Sequence, residues 1–207
     1  ALPAPVDTYA VFGYSQSARI ASIEKGNLAA AGSTMPLSFV LIGNPNRPNG
    51  GILQRFEGVE IPILGVTFDG ASPTDTDFDT VDITRQYDGW SDFPNNPLNP
   101  FATANAVAGI HYLHGDYQSV GLGNALYQGS YGDTDYYMIP SQRLPLLMPL
   151  AEAGVPSPVV TILDAPARVD LARLAIAACR GIERIVRDVA VASIRLERVD
   201  AGALVHE

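Results

Sequence analysis

The stretch Thr8–Ser22, TYAVFGYSQSARIAS, decides how the chain folds. Its apolar beginning, Tyr9–Phe12, is typical of a β-strand, and its end carries small and apolar residues at helical spacing. Between them stands GYSQS, residues 13–17, the pattern of a sharp strand-to-helix turn that lifts a serine hydroxyl above the end of a sheet. Ser17 takes the place of the usual second glycine but is also small. The stretch therefore predicts a nucleophilic Ser15; the competing interpretation is an ordinary junction in which this serine caps the helix.

The other apolar runs predict an α/β fold. Leu37–Ile42 is continuously apolar and of strand length, as expected for a strand of a parallel sheet that is buried on both faces. We expect a mostly parallel sheet flanked by helices. The predicted elements are a helix from the serine turn to about Ala31, strands at Leu37–Ile42, Ile52–Phe56, Ile63–Phe68, Val81–Tyr87 and Asp135–Ile139, a helix at Phe101–Leu113, and a glycine- and tyrosine-rich loop over 115–132.

Composition and charge exclude several classes of function. The 207 residues carry a net charge of −9, and no lysine- or arginine-rich patch precedes residue 160, so nucleic acid is not expected as a partner. No apolar run approaches the roughly 20 residues that span a bilayer. The single cysteine, Cys179, excludes an internal disulfide and a cysteine-rich zinc site.

The composition changes after Pro166. Seven of the twelve arginines lie between Arg168 and Arg198, among alanines and valines, which is typical of an amphipathic helix. The sequence therefore predicts two parts, an α/β domain over residues 1–165 and an arginine-rich helical segment over residues 166–207.

A catalytic serine needs a base that takes its proton and a carboxylate that orients this base. After a strand-to-helix turn of this kind, the order along the chain is serine, acid, histidine. His206 stands at the extreme C-terminus, and His111 lies inside a predicted helix. His114 leaves that helix into HGDY, where a turn leaves its ring free to face the serine. We expect His114 to be the base.

Two aspartates compete for the role of the acid. Asp88 follows directly on the predicted strand Val81–Tyr87, and catalytic groups of α/β sheets collect at such strand ends. Asp92 comes four residues later and could instead orient the loop. Asp88 is the preferred acid and Asp92 the alternative. A metal-dependent site would have to combine His111 or His114 with Asp116.

At this point the motifs GYSQSA, GNPNRPNGG, TRQYDGWSDFPNNPLNP and HGDY resemble the PE-PPE domain of mycobacteria and their relatives, from about Tyr9 to Leu163. That domain is a serine α/β-hydrolase similar to cutinases and lipases. The resemblance implies an esterase or acyltransferase that acts on acyl esters, often envelope lipids, needs no cofactor, and is located in the cell envelope or secreted. Its motifs carry over as Ser15, an aspartate of YDGWSDFP and His114. Lipases with a similar acid–proline block place the acid at the first aspartate, which favours Asp88.

The serine turn comes unusually early for this fold. In α/β-hydrolases several strands precede the nucleophile, and one of their loops supplies an oxyanion-hole amide, so we expect an N-terminally truncated domain. The backbone amide of Gln16 is the expected remaining oxyanion donor. The alternative function is a non-catalytic binding module of the cell envelope on a hydrolase fold. The residues expected to bind substrate are Tyr14, Trp90, Phe93 and Tyr117.

Overall fold

The fold is built on a five-stranded sheet. The computed structural model describes residues 8–165, 167 and 168. The strands are β1 (Tyr9–Tyr14), β2 (Leu37–Ile42), β3 (Glu60–Ile61), β4 (Val66–Thr67), β5 (Thr80–Arg85), β6 (Leu126–Tyr131) and β7 (Thr134–Ile139); β3 and β4 form a separate small hairpin. The strand order in the sheet is β1-β2-β5-β7-β6, in which all neighbours are parallel except the last pair. This arrangement, with helices against the sheet, confirms the α/β class.

Helix α1 (Gln16–Ala30) packs closely against the sheet through two small side chains near its start. Ala18 and Ala21 pack in one cluster with Phe39 and Leu41 of β2 and with Phe78. All five side chains are buried, and the two phenylalanine rings meet edge to face at 5.8 Å. This packing fixes the start of α1 above the C-terminal end of β1. The α-helices are α1 (Gln16–Ala30), α2 (Ile52–Arg55), α3 (Pro100–Tyr112) and α4 (Met148–Glu152).

The C-terminal ends of β1, β2 and β5 lie side by side at one edge of the sheet. The register pairs Tyr14 at the end of β1 with Ile42 at the end of β2, and Ile42 with Ile83 of β5. In open α/β sheets, ligands bind in the crevice outside these carboxyl ends. The segments that follow the three strands therefore converge at the place where a site is expected.

The predicted strand at Ile52–Phe56 is wrong, because these residues form the single helical turn α2. The first N–H groups of this turn donate to loops instead of to a strand: Ile52 donates to the carbonyl of Trp90 and Leu53 to that of Pro45. Leu53 is buried at the same time. Tertiary contacts thus override the β-propensity of this apolar segment.

Two further predictions in this region and beyond are corrected. Ile63–Phe68 is not one strand, because Pro62 opens a 3-10 turn over Pro62–Leu64 and only Val66–Thr67 are paired. The predicted loop over 115–132 contains the strand β6. Among the described residues, this strand pairs with β7 alone, and it is mostly exposed. An edge strand that buries neither face leaves no alternation of apolar and polar residues in the sequence.

The described residues from Thr8 to Asp164 belong to one compact unit of the chain. The predicted arginine-rich segment 166–207 lies outside the described residues except for Ala167 and Arg168. Within the part of the chain that the structure describes, no helix is both long enough and apolar enough to cross a membrane.

Candidate active site

The turn between β1 and α1 has the geometry of a nucleophile elbow. Ser15 lies at φ 57° and ψ −120°, a backbone conformation that costs on the order of 1–3 kcal/mol and is found mainly at functional sites. Its N–H donates to the carbonyl of Ile42 at 2.9 Å, which ties the turn to the end of β2. A Cβ on Gly13 would come within 2.6 Å of the Cα of Ala18 and 2.7 Å of the carbonyl oxygen of Ser17. A glycine is therefore required before the elbow.

The hydroxyl of Ser17 explains why a serine stands where a second glycine is usual. It accepts a hydrogen bond from the N–H of Tyr14 at 2.8 Å and donates to the carbonyl of Tyr14 at 2.8 Å. The side chain thus replaces strand hydrogen bonds that end at the turn, and it stabilises the elbow instead of disturbing it.

Ser15 lies within hydrogen-bond distance of His114, and His114 lies within hydrogen-bond distance of Asp88. The Oγ of Ser15 is 2.6 Å from Nε2 of His114, and Nδ1 of His114 is 2.8 Å and 3.0 Å from the two carboxylate oxygens of Asp88. Because Nδ1–H donates to this carboxylate, Nε2 carries the lone pair that accepts the serine proton. The arrangement can therefore deprotonate a serine hydroxyl.

Asp88 is fully buried, and its charge is balanced mainly by neutral donors. It accepts hydrogen bonds from the N–H of Trp90 at 3.0 Å and from the hydroxyl of Ser91 at 3.0 Å. A third neutral donor is the hydroxyl of Tyr117 at 2.7 Å. Among the described residues, its ion-pair partner is His114 alone. The sequence analysis missed the role of Ser91, for which a hydroxyl three residues after the acid is the signal.

Asp92, the alternative acid, has other hydrogen-bond partners than His114. Its carboxylate accepts the N–H of Tyr87 at 2.7 Å, and its own N–H donates to the carbonyl of Asp88. Burial raises the pKa of Asp92, while the hydrogen bond from Tyr87 opposes this effect. Tyr87 has a positive φ of 70°, so the Asp92 carboxylate closes a strained turn. The geometry thus places Asp88, and not Asp92, against the histidine.

The end of β2 makes room for the histidine, which sequence reasoning did not foresee. Gly43 has a φ of +59°, and a Cβ there would lie 3.2 Å from Cε1 of His114 and 3.4 Å from Tyr14. The ring of Tyr14 stacks on that of His114 with centroids 5.6 Å apart, and its hydroxyl donates to the carbonyl of His114. Glycine directly after the apolar run Leu37–Ile42 was the available signal.

A cavity of about 210 Å³ opens beside Ser15. The backbone start of α1 at Gln16 forms part of its wall, together with Trp90 of the acid loop. The remaining lining is mostly apolar, so the cavity suits a hydrocarbon group better than a charged one. The other lining residues are Arg19, Pro45, Leu53, Gly65, Val66 and Thr67.

Of the four residues expected to bind substrate, only Trp90 lines this cavity. Phe93 is 6% exposed and packs edge to face on Phe56, in the interior. The ring of Tyr14 stacks on the ring of His114, and the hydroxyl of Tyr117 donates to Asp88. Aromatic residues near a catalytic motif can thus support the catalytic side chains as well as a ligand.

The second histidine of the segment lies apart from the serine. His111 is exposed on α3, and its ring packs edge to face on Tyr112 at 4.7 Å. In residues 8–165, 167 and 168, no group of three histidine, cysteine, aspartate or glutamate side chains is arranged to hold a metal ion.

The chain is similar to one family of known proteins. The family model of the PE-PPE domain matches residues 4–173. The chain is 46% identical over 165 residues to Esterase PE16 of Mycobacterium tuberculosis, an alignment that covers 74% of this chain and 31% of that protein. It is 48% identical over 157 residues to the uncharacterized PPE family protein PPE42 of the same species, covering 68% of this chain and 26% of the relative.

A more distant relative is named for a different activity. Diacyltrehalose acyltransferase Chp2 of Mycobacterium tuberculosis is 31% identical over 173 residues, which is 76% of this chain and 48% of that protein. The chain thus spans about a quarter to a half of the length of these three relatives. No solved structure matches the chain significantly.

Proposed function

The chain belongs to the PE-PPE domain family, and from this premise we propose that it is a serine carboxylic ester hydrolase that works through an acyl-enzyme on Ser15. The observation that carries the proposal is the contact series from the Ser15 hydroxyl through His114 to the buried Asp88. Its position beside an apolar cavity adds support. The chemistry fits the name of the esterase relative.

In the proposed reaction His114 takes the proton of the Ser15 hydroxyl through Nε2. The serine oxygen bonds to the ester carbonyl carbon, and the carbonyl oxygen becomes an oxyanion. The imidazolium, held by Asp88, then gives its proton to the departing alcohol as the ester C–O bond breaks. A water molecule, deprotonated by the same histidine, next attacks the acyl carbon. The bond from this carbon to the Ser15 oxygen breaks, the imidazolium returns its proton to that oxygen, and the carboxylic acid leaves.

The backbone N–H of Gln16 is the proposed oxyanion donor. It belongs to the first turn of α1, where N–H groups have no intrahelical acceptor and the helix dipole is positive. Loss of one such donor typically costs about 2.7–4 kcal/mol of transition-state stabilisation. The proposed role of the cavity, with Trp90 in its wall, is to hold the acyl chain.

Substrate class and cellular place are also proposals. An acyl ester or lipid is the substrate class suggested by the esterase and acyltransferase names of the relatives. An alcohol that replaces water in the second step would make the reaction an acyl transfer. The family points to the cell envelope or to secretion, and the net charge of −9 speaks against a nucleic-acid partner.

The test is turnover of a series of p-nitrophenyl acyl esters by the parent chain and by Ser15→Ala. The control is Ser33→Ala, in the loop that follows α1. We expect release of p-nitrophenol by the parent and by Ser33→Ala, and none above background with Ser15→Ala. Equal activity in all three would contradict the proposal. No activity in a folded parent would favour the non-catalytic binding module.

A further inference from the structure

The loop that carries His114 also carries a tyrosine that touches the acid. Tyr117 follows His114 by three residues in the segment His114–Ser119, which consists of 3-10 turns separated by a kink at Asp116. Its hydroxyl is 2.7 Å from Oδ2 of Asp88, the oxygen that also accepts Nδ1–H of His114 at 2.8 Å. Base and tyrosine thus contact the same carboxylate oxygen from the same short segment.

The direction of the hydrogen bond between Tyr117 and Asp88 follows from the groups around the phenol oxygen. The backbone N–H of Arg85, at the end of β5, donates to the Tyr117 oxygen at 2.8 Å. Burial, and after it the charge of Asp88, raises the pKa of Tyr117 well above its usual value, so the phenol keeps its proton. The phenol oxygen has three polar neighbours: the Arg85 N–H donates to it, the Ser91 hydroxyl lies 3.2 Å away, and the Asp88 carboxylate can only accept. The hydroxyl hydrogen therefore points to Asp88, the nearest acceptor.

The same strand end holds the loop in place. The guanidinium of Arg85 donates through Nη1 to the carbonyls of Leu113 at 3.2 Å and Asp116 at 2.8 Å, which flank His114. The ring of Tyr117 meets that of His114 nearly at right angles, with centroids 6.3 Å apart. The position of the tyrosine is therefore fixed from β5 and from the histidine.

We propose that Tyr117 is a positioning residue. It sets the orientation of the Asp88 carboxylate and how strongly the negative charge of this carboxylate stabilises protonated His114. The inference rests on the proposed function for the roles of Asp88 and His114. A hydroxyl that donates to Oδ2 draws charge from the oxygen that faces the imidazole. Ser91 donates to the same oxygen at 3.0 Å and acts in the same direction.

The titration of His114 tests the proposal without relying on turnover. We would follow the histidine side-chain NMR signals of the full chain against pH, and identify His114 by the signal lost in His114→Ala. Without the Tyr117 hydroxyl, Asp88 presents more charge to the imidazolium and stabilises it. Tyr117→Phe should therefore raise the midpoint of the His114 titration.

The matched control is Tyr137→Phe, whose parent ring packs on Tyr127 in the β6–β7 hairpin. It should leave the His114 midpoint unchanged. The other charged or titratable groups near the pair are kept in both variants, so a shift reports the missing hydroxyl. They are Arg85 at β5, Asp92 after it, Asp116 beside His114, and Tyr14 of β1.

A second variant covers the case in which Tyr117→Phe does not fold. Ser91→Ala removes the other hydroxyl donor and should shift the midpoint in the same direction. A His114 midpoint that equals that of the parent in folded Tyr117→Phe, or in folded Ser91→Ala where the first variant is lost, overturns the proposal. A lowered melting temperature with an unmoved midpoint would show a merely structural role and overturn it as well.

Reaction with a fluorophosphonate separates this inference from the proposed function. Tyr117→Phe should react at Ser15 about tenfold more slowly than the parent and Tyr137→Phe, a difference equivalent to about 1.4 kcal/mol. The reason is that the carboxylate loses a donor that orients it toward Nδ1 of His114, and this loss outweighs the gain in basicity of the imidazole. A parent that never reacts at Ser15 would contradict the proposed function, while the NMR titration would still decide the role of Tyr117. An unchanged reaction rate in Tyr117→Phe contradicts the inference alone.

Discussion

Two buried carboxylates near the end of β5 have opposite surroundings. Asp82, within the strand, is 1% exposed and lies 2.5 Å from Nη1 of Arg47, with a further hydrogen bond from the amide of Asn44 at 2.9 Å. Asp88, just after the strand, is 0% exposed and is held by neutral donors and His114. The two differ in the partner that balances the charge, not in burial.

That difference separates a structural carboxylate from one that can take part in chemistry. An arginine stays charged at every pH at which proteins fold, so Arg47 holds a permanent positive charge against Asp82, while burial raises the pKa of that carboxyl. An imidazole can gain and lose a proton near neutral pH, so the imidazole beside Asp88 can take up the proton of the Ser15 hydroxyl. Mutations that remove one carboxylate, or its charged partner, test this comparison.

The largest expected effect is that of Asp88→Asn on the reactivity of Ser15. An amide in place of the acid no longer fixes the required imidazole tautomer, which in serine hydrolases lowers the rate by about 10⁴. Asp82→Asn, by contrast, should leave the reactivity of the folded molecules within a few-fold of the parent. The measurement is the second-order rate constant for fluorophosphonate labelling, and similar losses in both variants would erase the distinction.

The next largest effect should be on stability, at the other carboxylate. Arg47→Met leaves Asp82 buried without its cation, which typically costs about 3–5 kcal/mol. The control is Arg19→Met, because Arg19 pairs with Asp69 at the surface, with side chains 29% and 25% exposed, and such pairs contribute about 0–1 kcal/mol. Urea unfolding measures both. Equal losses would contradict the account of Asp82.

A third carboxylate, Asp133, extends the comparison to the pH dependence of stability. Burial alone would raise the pKa of Asp133, but hydrogen bonds from Lys25, Thr76 and Thr134 outweigh it and lower the pKa. The stability that Asp133 contributes is therefore present above the unfolded pKa of about 3.9 and is lost as the pH falls through the lower folded value.

Asp133→Asn should accordingly reduce the free energy of unfolding at pH 7 by about 1.5–3 kcal/mol, the range for hydrogen bonds to charged groups. The difference from the parent should shrink below about pH 4. Thermal unfolding across this range is the measurement. A difference that stays constant down to acid pH would show that the charge of Asp133 is not what stabilises the fold.

The smallest expected effect is that of Asp92→Asn on labelling. The carboxylate accepts the N–H of Tyr87 and does not contact His114, and the amide oxygen of asparagine can accept the same hydrogen bond. We expect a labelling rate within about threefold of the parent, less than the roughly tenfold that 1.4 kcal/mol would cause. A loss as large as that in Asp88→Asn would exchange the two aspartates in the proposed triad.

The sequence was informative where chemistry restricts the residue. The serine turn needs Gly13, and strand ends such as that before Asp88 bring polar groups to one edge of a parallel sheet, so local motifs predicted which side chains would meet. The helical turn α2 was missed because it depends on the carbonyls of Pro45 and Trp90, which lie in other segments. The strand β6 was missed because its faces are mostly exposed, which leaves no alternation of apolar and polar residues.

The same limit applies within the site. Aromatic residues beside the motifs were expected to contact substrate, but the sequence does not show which way a ring points. Tyr117 is directed to Asp88 by the backbone N–H of Arg85, a contact between residues 32 positions apart. Gly43 owes its importance to the approach of His114 and Tyr14 from two other segments.

The most direct test of the central claim is the intact mass of the chain after reaction with a fluorophosphonate, followed by peptide mapping. Ser15→Ala and His114→Ala serve as the comparison variants. The account predicts one adduct on the parent, located on Ser15, and none on either folded variant. A folded parent without an adduct, or an adduct that persists in His114→Ala at the parent rate, would contradict a serine activated by that histidine.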